Sequence, residues 1–247
     1  MTTQRMLSLL RKCVEKYKLI KDGDKIAVGL SGGKDSLTLL KLLAEYRKFS
    51  PQKFQLVAIT IDLAFEDKET DLTPLKNFCK DLDVEYYIEK TEIGKVVFDV
   101  RKETNPCSLC AKMRRGALNS LAKQKGCNKV ALGHHKDDLI QTFFLSLFYE
   151  GRLSSFSPKS YLDKTELTVI RPMLYIEECD VISYSKDLPV VFNCCPANKK
   201  TKREYAKDVI SEISKDVPNV RDMIFTALVH PERYNLFDKF ESDAEKF

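Results

Sequence analysis

The 247-residue sequence contains no apolar run approaching the roughly 20 residues that a membrane-spanning helix needs. Its first segment, MTTQRMLSLLRKCVEKYK, lacks the apolar core and the small-residue cleavage site of a secretory signal. Internal repeats, low-complexity tracts and Gly/Ser-rich linkers are also absent from the sequence. These absences predict a cytoplasmic chain that does not associate with a membrane.

The composition is that of an ordinary globular protein, with 43% hydrophobic and 31% charged residues. A chain of this length buries a substantial core. The net charge of +5 permits a polyanionic partner without requiring one. In a reducing cytoplasm the eight cysteines are better suited to metal binding or catalysis than to disulfide bonds.

Short apolar runs alternate with helical patterns through the first two thirds of the sequence. This alternation predicts an α/β fold, with a Rossmann-like parallel sheet wrapped by helices. The last third is mostly helical and more basic, so we predict one domain over 1–247, with a core at 18–174 and a helical C-terminal extension at 175–247. The predicted strands are Ile26–Leu30, Leu56–Ile61, Tyr86–Ile88, Val130–Leu132 and Thr168–Arg171, and the predicted helices are Leu37–Tyr46, Leu75–Leu82, Cys107–Lys123 and Asp138–Phe148.

The stretch GLSGGKDS falls between the first predicted strand and the first long helix, where α/β sheets bind ligands. Its two glycines let a ligand approach the main chain, amide groups at the helix start form an anion nest, and the lysine adds positive charge. Neither G-x-x-x-x-G-K-[ST] nor G-x-G-x-x-G occurs there. The alternative is a tight turn whose glycines serve only packing. We predict a phosphate cradle built from Ser31, Gly32, Gly33, Lys34, Asp35 and Ser36.

A second polar motif, GHHKDD, follows the fourth predicted strand and therefore lies at the same edge of the sheet. Its side chains can hold a divalent cation or orient phosphates, whereas the HExxH spacing of a zinc site is missing. The alternative is structural, with Asp137 or Asp138 capping the following helix. Gly133 and His135 are further candidate nucleotide contacts. Asp62, directly after the second strand, is a candidate adenosine contact or an ordinary polar strand end.

The stretch NPCSLCAKMRRG places Cys107 and Cys110 one turn apart on one face, at the start of a helix. The helix dipole favours thiolates at this end, and a lone C-x-x-C is compatible with a redox pair, zinc or an iron–sulfur cluster. With Cys194 or Cys195 as a distant third ligand, three thiolates suit a [4Fe–4S] cluster that leaves one iron open. The rival site is zinc bound by all four cysteines. The remaining cysteines are expected to serve packing: Cys13, Cys79, Cys127 and Cys179.

SGGKDS resembles the signature of the PP-loop ATP pyrophosphatases, which bind ATP and adenylate a substrate carbonyl. Together with PCSLCAKMRRG, GHHKDDLIQTFFLSLFYEGRL and VIRPM, in this order along the chain, it makes nearly the whole sequence similar to the tRNA 2-thiocytidine synthetases. The resemblance implies a fold of the PP-loop type, with ATP, magnesium (Mg²⁺) and a [4Fe–4S] cluster as cofactors. It also implies tRNA and a cysteine desulfurase as partners, while a homodimer is left open.

The resemblance further implies the reaction. ATP adenylates O2 of a cytidine at position 32 of the anticodon loop, and sulfur, carried on the open iron or as a cysteine persulfide, replaces that oxygen with release of AMP. The family has a second C-x-x-C before the last basic run, but here Phe192 stands in place of its first cysteine, so Cys195 is the favoured third ligand and Cys194 the alternative. The residues assigned to catalysis are Cys107, Cys110, Cys195, Lys34 and Asp138.

Two basic runs predict a tRNA path beside the cysteines, although a run of charge is commonly a solvated face. The candidate contacts are Arg114 and Arg115 on the cysteine helix, and Lys199, Lys200, Lys202 and Arg203 further along. Three other interpretations stay open. They are a tRNA 2-thiouridine synthetase, a tRNA lysidine synthetase, which leaves the cysteine pair unused, and a non-catalytic nucleotide-binding regulator with a structural zinc site.

Overall fold

A computed structural model describes residues 2–64, 70–100, 106–191 and 202–235. The strands are β1 (Lys25–Gly29), β2 (Gln55–Asp62), β3 (Glu85–Lys90), β4 (Lys129–Ala131), β5 (Lys159–Leu162) and β6 (Leu167–Ile170). They form one sheet in the order β3-β2-β1-β4-β6-β5. Strands β3, β2, β1, β4 and β6 are parallel to one another, and the edge strand β5 pairs antiparallel with β6. The predicted α/β fold is confirmed.

Helices occupy most of the remaining described residues, and each predicted helix and strand overlaps an element of the structure. The first helix and β5 are absent from the sequence-based prediction. The helices are α1 (Thr3–Lys16), α2 (Lys34–Phe49), α3 (Thr73–Asp81), α4 (Ile93–Lys95), α5 (Pro106–Gln124), α6 (Lys136–Glu150), α7 (Glu178–Tyr184), α8 (Lys202–Asp216) and α9 (Val220–Val229). A π-helical turn at Val96–Val100 follows α4, and 3-10 turns occur at Ser185–Asp187 and Pro231–Arg233.

Local sequence explains why these segments form. The central strands β1 and β2 are buried along almost their whole length, which accounts for their continuous apolar runs. In α1 the buried residues Met6, Leu10, Cys13 and Val14 recur at helical spacing, and the Thr2 side chain caps the first turn. The α1 face therefore joins the core of the sheet.

Helix α5 lies across the middle of the sheet. Its residues Leu118, Leu121 and Ala122 join one buried cluster with apolar residues of β1, β2 and β4. A Leu118 methyl carbon lies 2.9 Å from where a Cβ atom on Gly29 would be, so the helix and β1 approach closely at that point. Because α5 leads into a parallel strand, it runs antiparallel to the sheet, with its first turn toward the carboxyl ends of the strands.

The strand order places a ligand-binding crevice at a defined point. The chain proceeds from β1 to β2 and β3 on one side, and then crosses to β4 on the other side of β1. In open α/β sheets, ligands bind outside the carboxyl ends of the two strands where the order reverses. Here those strands are β1 and β4, which are followed by GLSGGKDS and GHHKDD respectively.

The chain divides into two compact units. One comprises Met1–Lys136 and Phe156–Lys199, which include the sheet, and the other comprises Asp137–Ser155 and Lys200–Phe247. The predicted organisation as one domain with an extension from 175 stays a prediction. In the part of the chain that is described, none of the helices combines the length and apolarity that crossing a bilayer requires.

Candidate active site

The glycine loop that follows β1 is held closed by its own two serines. The Ser36 hydroxyl donates a hydrogen bond to the Gly33 carbonyl oxygen at 3.0 Å and accepts one from the Ser31 amide at 3.1 Å. The Ser31 hydroxyl oxygen lies 3.1 Å from that of Ser36 and accepts a longer bond from the Gly33 amide. Because Ser36 is only 5% exposed, its hydroxyl shapes the loop from the protein side.

The two glycines of the loop serve different purposes. Gly32 has a φ of +81°, and a Cβ atom there would lie 3.2 Å from the Val191 Cβ, so both conformation and space require glycine. Gly33 has a φ of −78°, which any residue adopts, and among the described residues an added Cβ would meet only Ser31 Oγ at 3.6 Å. Positive φ, which the sequence allows at both glycines, therefore occurs only at Gly32. What remains for Gly33 is the close approach of a ligand.

Lys34 begins α2, and its ammonium group lies near two carboxylates. Its Nζ is 2.7 Å from Asp35 Oδ1 and 3.5 Å from Glu178 Oε1. Burial alone lowers the pKa of Lys34, but the hydrogen bond and charge of Asp35, aided by Glu178, outweigh burial and raise this pKa above its usual value. Lys34 is therefore a fixed positive charge beside the loop at physiological pH.

The loop after β4 contacts the glycine loop directly. A Cβ atom added to Gly133 would lie 2.9 Å from the carbonyl carbon and oxygen of Asp35 and 3.2 Å from the Ser36 nitrogen. His135 is buried, and its Nε2 lies 3.7 Å from Asp35 Oδ1. The structure thus brings together the two motifs that follow β1 and β4.

Two glutamates at the start of α7 also reach this part of the sheet edge, and sequence analysis did not identify them. Glu178 contacts Lys34, as described above, and Glu177 Oε1 lies 2.9 Å from the buried Lys136 Nζ. The Lys136 amide donates to the Ile176 carbonyl oxygen at 2.8 Å, which fixes the two segments together. The acidic pair in YIEECD, shortly after VIRPM, is the sequence signal that points to them.

Asp137 and Asp138 belong to the second compact unit, where each pairs with an arginine. Asp137 Oδ1 lies 3.3 Å from Arg221 Nη1, and Asp138 Oδ1 lies 3.1 Å from Arg203 Nη1. Helix α6 begins at Lys136, so both aspartates lie inside its first turn. Sequence analysis missed Arg221 because nothing local links it to α6.

The cysteine pair lies at the start of α5. Cys107 is exposed, Cys110 is half-buried, and neither forms a disulfide bond within the described residues. Arg114 lies on the same helical stripe, because residues at i, i+3 and i+7 share a face. Burial lowers the pKa of the Arg114 guanidinium, and the charge of Cys110 acts in the opposite direction. The thiol of Cys110 and the half-buried guanidinium of Arg114 are thus close enough to interact on this face.

The position of α5 brings the cysteines to the same edge of the sheet as the glycine loop. Leu118 lies over Gly29, two residues before Ser31. Cys110 precedes Leu118 by two helical turns, which is about 12 Å along the axis toward the carboxyl ends of the strands. Several predicted residues lie outside the part of the chain that the structure describes. They are the favoured third ligand Cys195, its alternative Cys194, and Phe192, Lys199 and Lys200.

The other described cysteines differ in burial. Cys13, Cys79 and Cys127 are buried, as expected of packing residues. Burial raises the pKa of the Cys13 and Cys79 thiols to about 12, so they remain protonated and are poor metal ligands. Burial also raises the pKa of Cys127. Cys179, by contrast, is exposed on α7 and does not serve core packing.

Asp62 borders an open cavity at the carboxyl ends of β2 and β3. The cavity has a volume of about 500 Å³ and is also lined by Asp71, Lys76, Ile88 and Lys90. This volume is within the range of small-molecule sites and suffices for a nucleoside. The Asp62 carboxylate accepts a hydrogen bond from the Ala64 amide at 3.1 Å. The adenosine contact predicted for Asp62 stays a prediction.

Three of the candidate tRNA contacts each pair with a different neighbouring group. The exposed Arg115 donates from Nε to the Ala111 carbonyl oxygen at 3.2 Å. In the second unit, Lys202 Nζ lies 4.2 Å from the centre of the Tyr149 ring, and Arg203 contacts Gln141 in addition to its aspartate. Their predicted roles in binding tRNA stay predictions.

Comparison with known proteins agrees with the resemblance that the motifs indicate. Residues 2–212 match the PP-loop domain family. The tRNA-cytidine(32) 2-sulfurtransferase of Citrifermentans bemidjiense is 37% identical over 242 residues, which cover 95% of this chain and 93% of that protein. The enzyme of the same name from Pseudomonas putida is 38% identical over 244 residues, covering 95% and 88% respectively.

A solved structure is similar over almost the whole chain. It is the U34-tRNA thiolase NcsA from Methanococcus maripaludis with its [4Fe–4S] cluster. The TM-score is 0.76 at 27% identity, and the match covers 94% of this chain and 79% of that chain. From the family match and the identities over nearly their full length, the chain belongs to the PP-loop family and, within it, to the tRNA-cytidine(32) 2-sulfurtransferases.

Proposed function

We propose that this chain is an ATP-dependent tRNA sulfurtransferase, which adenylates the C2 oxygen of an anticodon-loop cytidine and replaces that oxygen with sulfur. Position 32 is the target named for its relatives. The observation that carries the proposal is the shared location of three elements: the glycine loop, the loop after β4 and the cysteine end of α5 all face the carboxyl edge of one sheet. An activated base and its sulfur need such a common edge.

The glycine loop is proposed to hold the pyrophosphate portion of ATP. Gly33 leaves room for a phosphate oxygen beside the main chain, and the N-terminal end of α2 attracts negative charge. When ATP binds, the Lys34 ammonium group exchanges its contacts with Asp35 and Glu178 for contacts with the phosphates. There it stabilises the negative charge that develops as the bond between the α-phosphorus and the bridging oxygen breaks. Asp35 is the proposed ligand of Mg²⁺, because this ion is commonly held by one or two carboxylates together with substrate phosphates.

Cys107 and Cys110 fit two of the three thiolate positions of a [4Fe–4S] cluster, because both are at least partly exposed and lie on one helical face. Cys195 is the proposed third ligand, with Cys194 as the alternative. When bound, such a cluster supplies one iron without a protein ligand as the place of sulfur delivery. Arg114, on the stripe of the two thiols, stabilises their negative charge.

The proposed chemistry has two bond exchanges. The cytidine O2 bonds to the α-phosphorus of ATP and pyrophosphate leaves. Sulfur at the oxidation level of sulfide then bonds to C2, and the C2–O bond breaks with release of AMP; persulfide sulfur from a cysteine desulfurase reaches this level by a two-electron reduction with a thiol. The roles predicted for Asp62, Asp137, Asp138, Lys202 and Arg203 remain part of this proposal.

The cysteine assignment is tested with Cys110→Ser in protein purified without oxygen. We expect loss of iron, sulfide and tRNA thiolation with retained secondary structure by circular dichroism, since Cys110 lies at the helix start and is only half-buried. Cys179→Ser, which removes an exposed cysteine from α7, is the matched control and should keep all three. Full thiolation by Cys110→Ser would show that the assignment is wrong.

The nucleotide assignment is tested with Lys34→Ala. The variant should keep its iron and sulfide content but lose ATP-dependent thiolation by about a hundredfold or more, the loss expected on removing one preorganised charge from a transition state. Pyrophosphate release and thionucleoside formation are measured together. Turnover at the wild-type rate would remove Lys34 from the mechanism.

The structural likeness to a U34-tRNA thiolase favours one alternative, in which this chain thiolates a uridine. Both reactions use the same activation of a C2 oxygen, so site geometry does not separate them. Mass spectrometry of tRNA nucleosides from a deletion strain does. Loss of 2-thiocytidine supports the proposal, and loss of 2-thiouridine with 2-thiocytidine retained overturns it in favour of the alternative.

A further inference from the structure

Arg171, from the VIRPM motif, lies at the same sheet edge but has no part in the mechanism above. It directly follows β6, which pairs with β4 in the register Ala131↔Ile170. The Leu132 amide donates to the Ile170 carbonyl oxygen at 3.0 Å, so the residues that follow the two strands leave the sheet side by side. Arg171 is therefore a neighbour of His134, the second residue of the GHHKDD motif.

One aromatic ring lies close to both of these side chains. The Arg171 guanidinium carbon is 5.0 Å from the centre of the Phe156 ring, and the His134 ring centre is 4.9 Å from that of Phe156, at an interplanar angle of 38°. Arg171 Nη1 donates to the Ser157 carbonyl oxygen at 2.6 Å. Within the described residues its buried Nε has no hydrogen-bond partner.

Positive charge accumulates at this point of the sheet edge. Burial lowers the pKa of Arg171, and the neighbouring Arg115 lowers it further. Among the residues that the structure describes, Arg114, Arg115 and Arg171 form no ion pair with a carboxylate. The burial of Arg171 and the like charge of the exposed Arg115 both oppose folding, and a bound anion would relieve both effects. This arrangement therefore favours the binding of a polyanion.

We propose that Arg171 and Arg115 bind one phosphate of an unpaired tRNA nucleotide, whose base packs on the ring pair formed by Phe156 and His134. Unpaired bases of RNA are commonly bound by stacking on aromatic rings and guanidinium planes. This site would hold the anticodon loop beside the cysteine helix, because Arg115 is on α5. The proposal rests on the proposed function. It adds a nucleotide-binding site in which Arg115, a predicted tRNA contact, is joined by Arg171, Phe156 and His134, which were not predicted as site residues.

The phosphate is assigned to RNA rather than to ATP for two reasons. In the sheet, β6 is two strands from β1, so Arg171 lies about 10 Å along the edge from the glycine loop. The ring pair beside Arg171 also offers a base-stacking surface, which the phosphates of ATP do not need. The affinities for the two ligands are therefore measured separately.

The first test compares Arg171→Met with the wild-type protein in binding a synthetic anticodon stem–loop RNA with cytidine at position 32. Removing one phosphate contact should weaken binding about tenfold and make the log–log salt slope less steep by about 0.7. ATP affinity should stay unchanged. Arg11→Met, which removes an exposed arginine from α1, is the matched control and should change neither quantity. An unchanged slope in Arg171→Met, or a loss of ATP affinity alone, overturns the proposal.

Phe156→Leu tests the stacking part. It should weaken binding of the stem–loop about tenfold, the lower range for loss of one stacked base, while leaving the salt slope as in the wild type. Binding of a fully paired hairpin RNA should not change. Equal losses for both RNAs would show that the ring has no contact with an unpaired base.

Arg171 also donates to the Ser157 carbonyl oxygen, so Arg171→Met removes a structural hydrogen bond as well as the proposed phosphate contact. If that variant does not fold, Arg115→Met and Arg171→Lys test the proposal instead. Arg115 is exposed on α5, so Arg115→Met should fold and show the same reduction in slope, whereas Arg171→Lys should keep the slope. A wild-type slope in Arg115→Met contradicts the proposal. Thiolation by the wild-type protein is scored separately, so failure of the proposed function is seen independently of RNA binding.

Discussion

Replacing Gly133 by alanine tests whether the contact between the two motif loops sets the geometry of the nucleotide site. The added Cβ would lie 2.9 Å from two backbone atoms of Asp35, whereas ordinary van der Waals contact begins at 3.4 Å. Both partners are main chain, so no side chain can rotate away. The loop after β4 and the first turn of α2 must therefore separate.

The size of the effect follows from that separation. Relieving the overlap requires a shift of about 0.5 Å, and forcing a methyl group into a packed contact costs about 1–3 kcal/mol of the free energy of unfolding. For a chain of this length, this lowers the melting temperature by about 3–10 °C. A displacement of 1 Å near reacting groups costs about a hundredfold in rate, so half that shift predicts about a tenfold loss of ATP-dependent turnover.

The assay is thermal unfolding together with ATP-dependent pyrophosphate release in the presence of tRNA. Gly116→Ala is the matched control, because no atom of the described residues lies within 4 Å of the added Cβ and the residue is inside α5. That variant should be as stable as the wild type or more stable by up to about 1 kcal/mol, since alanine favours a helix. If Gly133→Ala melts and turns over like the wild type, the two loops are not rigidly coupled.

Two further predictions concern ion pairs. Asp24→Ala leaves the buried Lys129 without the carboxylate that lies 2.6 Å from its Nζ, so it should lower the free energy of unfolding in urea by about 3–5 kcal/mol, and adding Lys129→Met should restore much of that loss. An equal loss in the double variant would contradict this. Glu178→Gln removes a carboxylate that competes for Lys34, so ATP should bind about two- to fivefold more tightly, whereas Glu177→Gln should bind it as the wild type does. Weaker ATP binding by Glu178→Gln would instead make its charge part of the binding site.

The parts of the fold that could be predicted are those specified by local patterns. The buried strands β1 and β2 appear as continuous apolar runs, and the long helices α2 and α5 have regular apolar spacing. β5 could not be found in this way, because half of its residues are exposed and its sequence, KSYL, is short. Its antiparallel pairing with β6 depends on the chain turning back, which the strand pattern alone does not specify.

The same distinction applies to the site. The glycine loop and the cysteine pair could be predicted because each is a short motif whose residues act together. The contact of Glu178 with Lys34 joins residues far apart in sequence, and it exists only because α7 follows the strand that pairs with β4. The sequence also could not distinguish Gly32 from Gly33, since only the backbone angles show which of them needs positive φ.

Strand order therefore determines which charges meet at the carboxyl edge. The segments after β1, β4 and β6 are widely separated in sequence, but these three strands are neighbours in the sheet. The segment after β1 supplies Lys34 and Asp35, the segment after β4 supplies His135, and the segment after β6 supplies Arg171 and then the glutamates of α7. Because alternate residues of a strand point to opposite faces, a shift of β6 by one residue against β4 would direct Arg171 away from the ring of Phe156. The register of this short strand is thus as important to the proposed RNA site as the identity of the arginine.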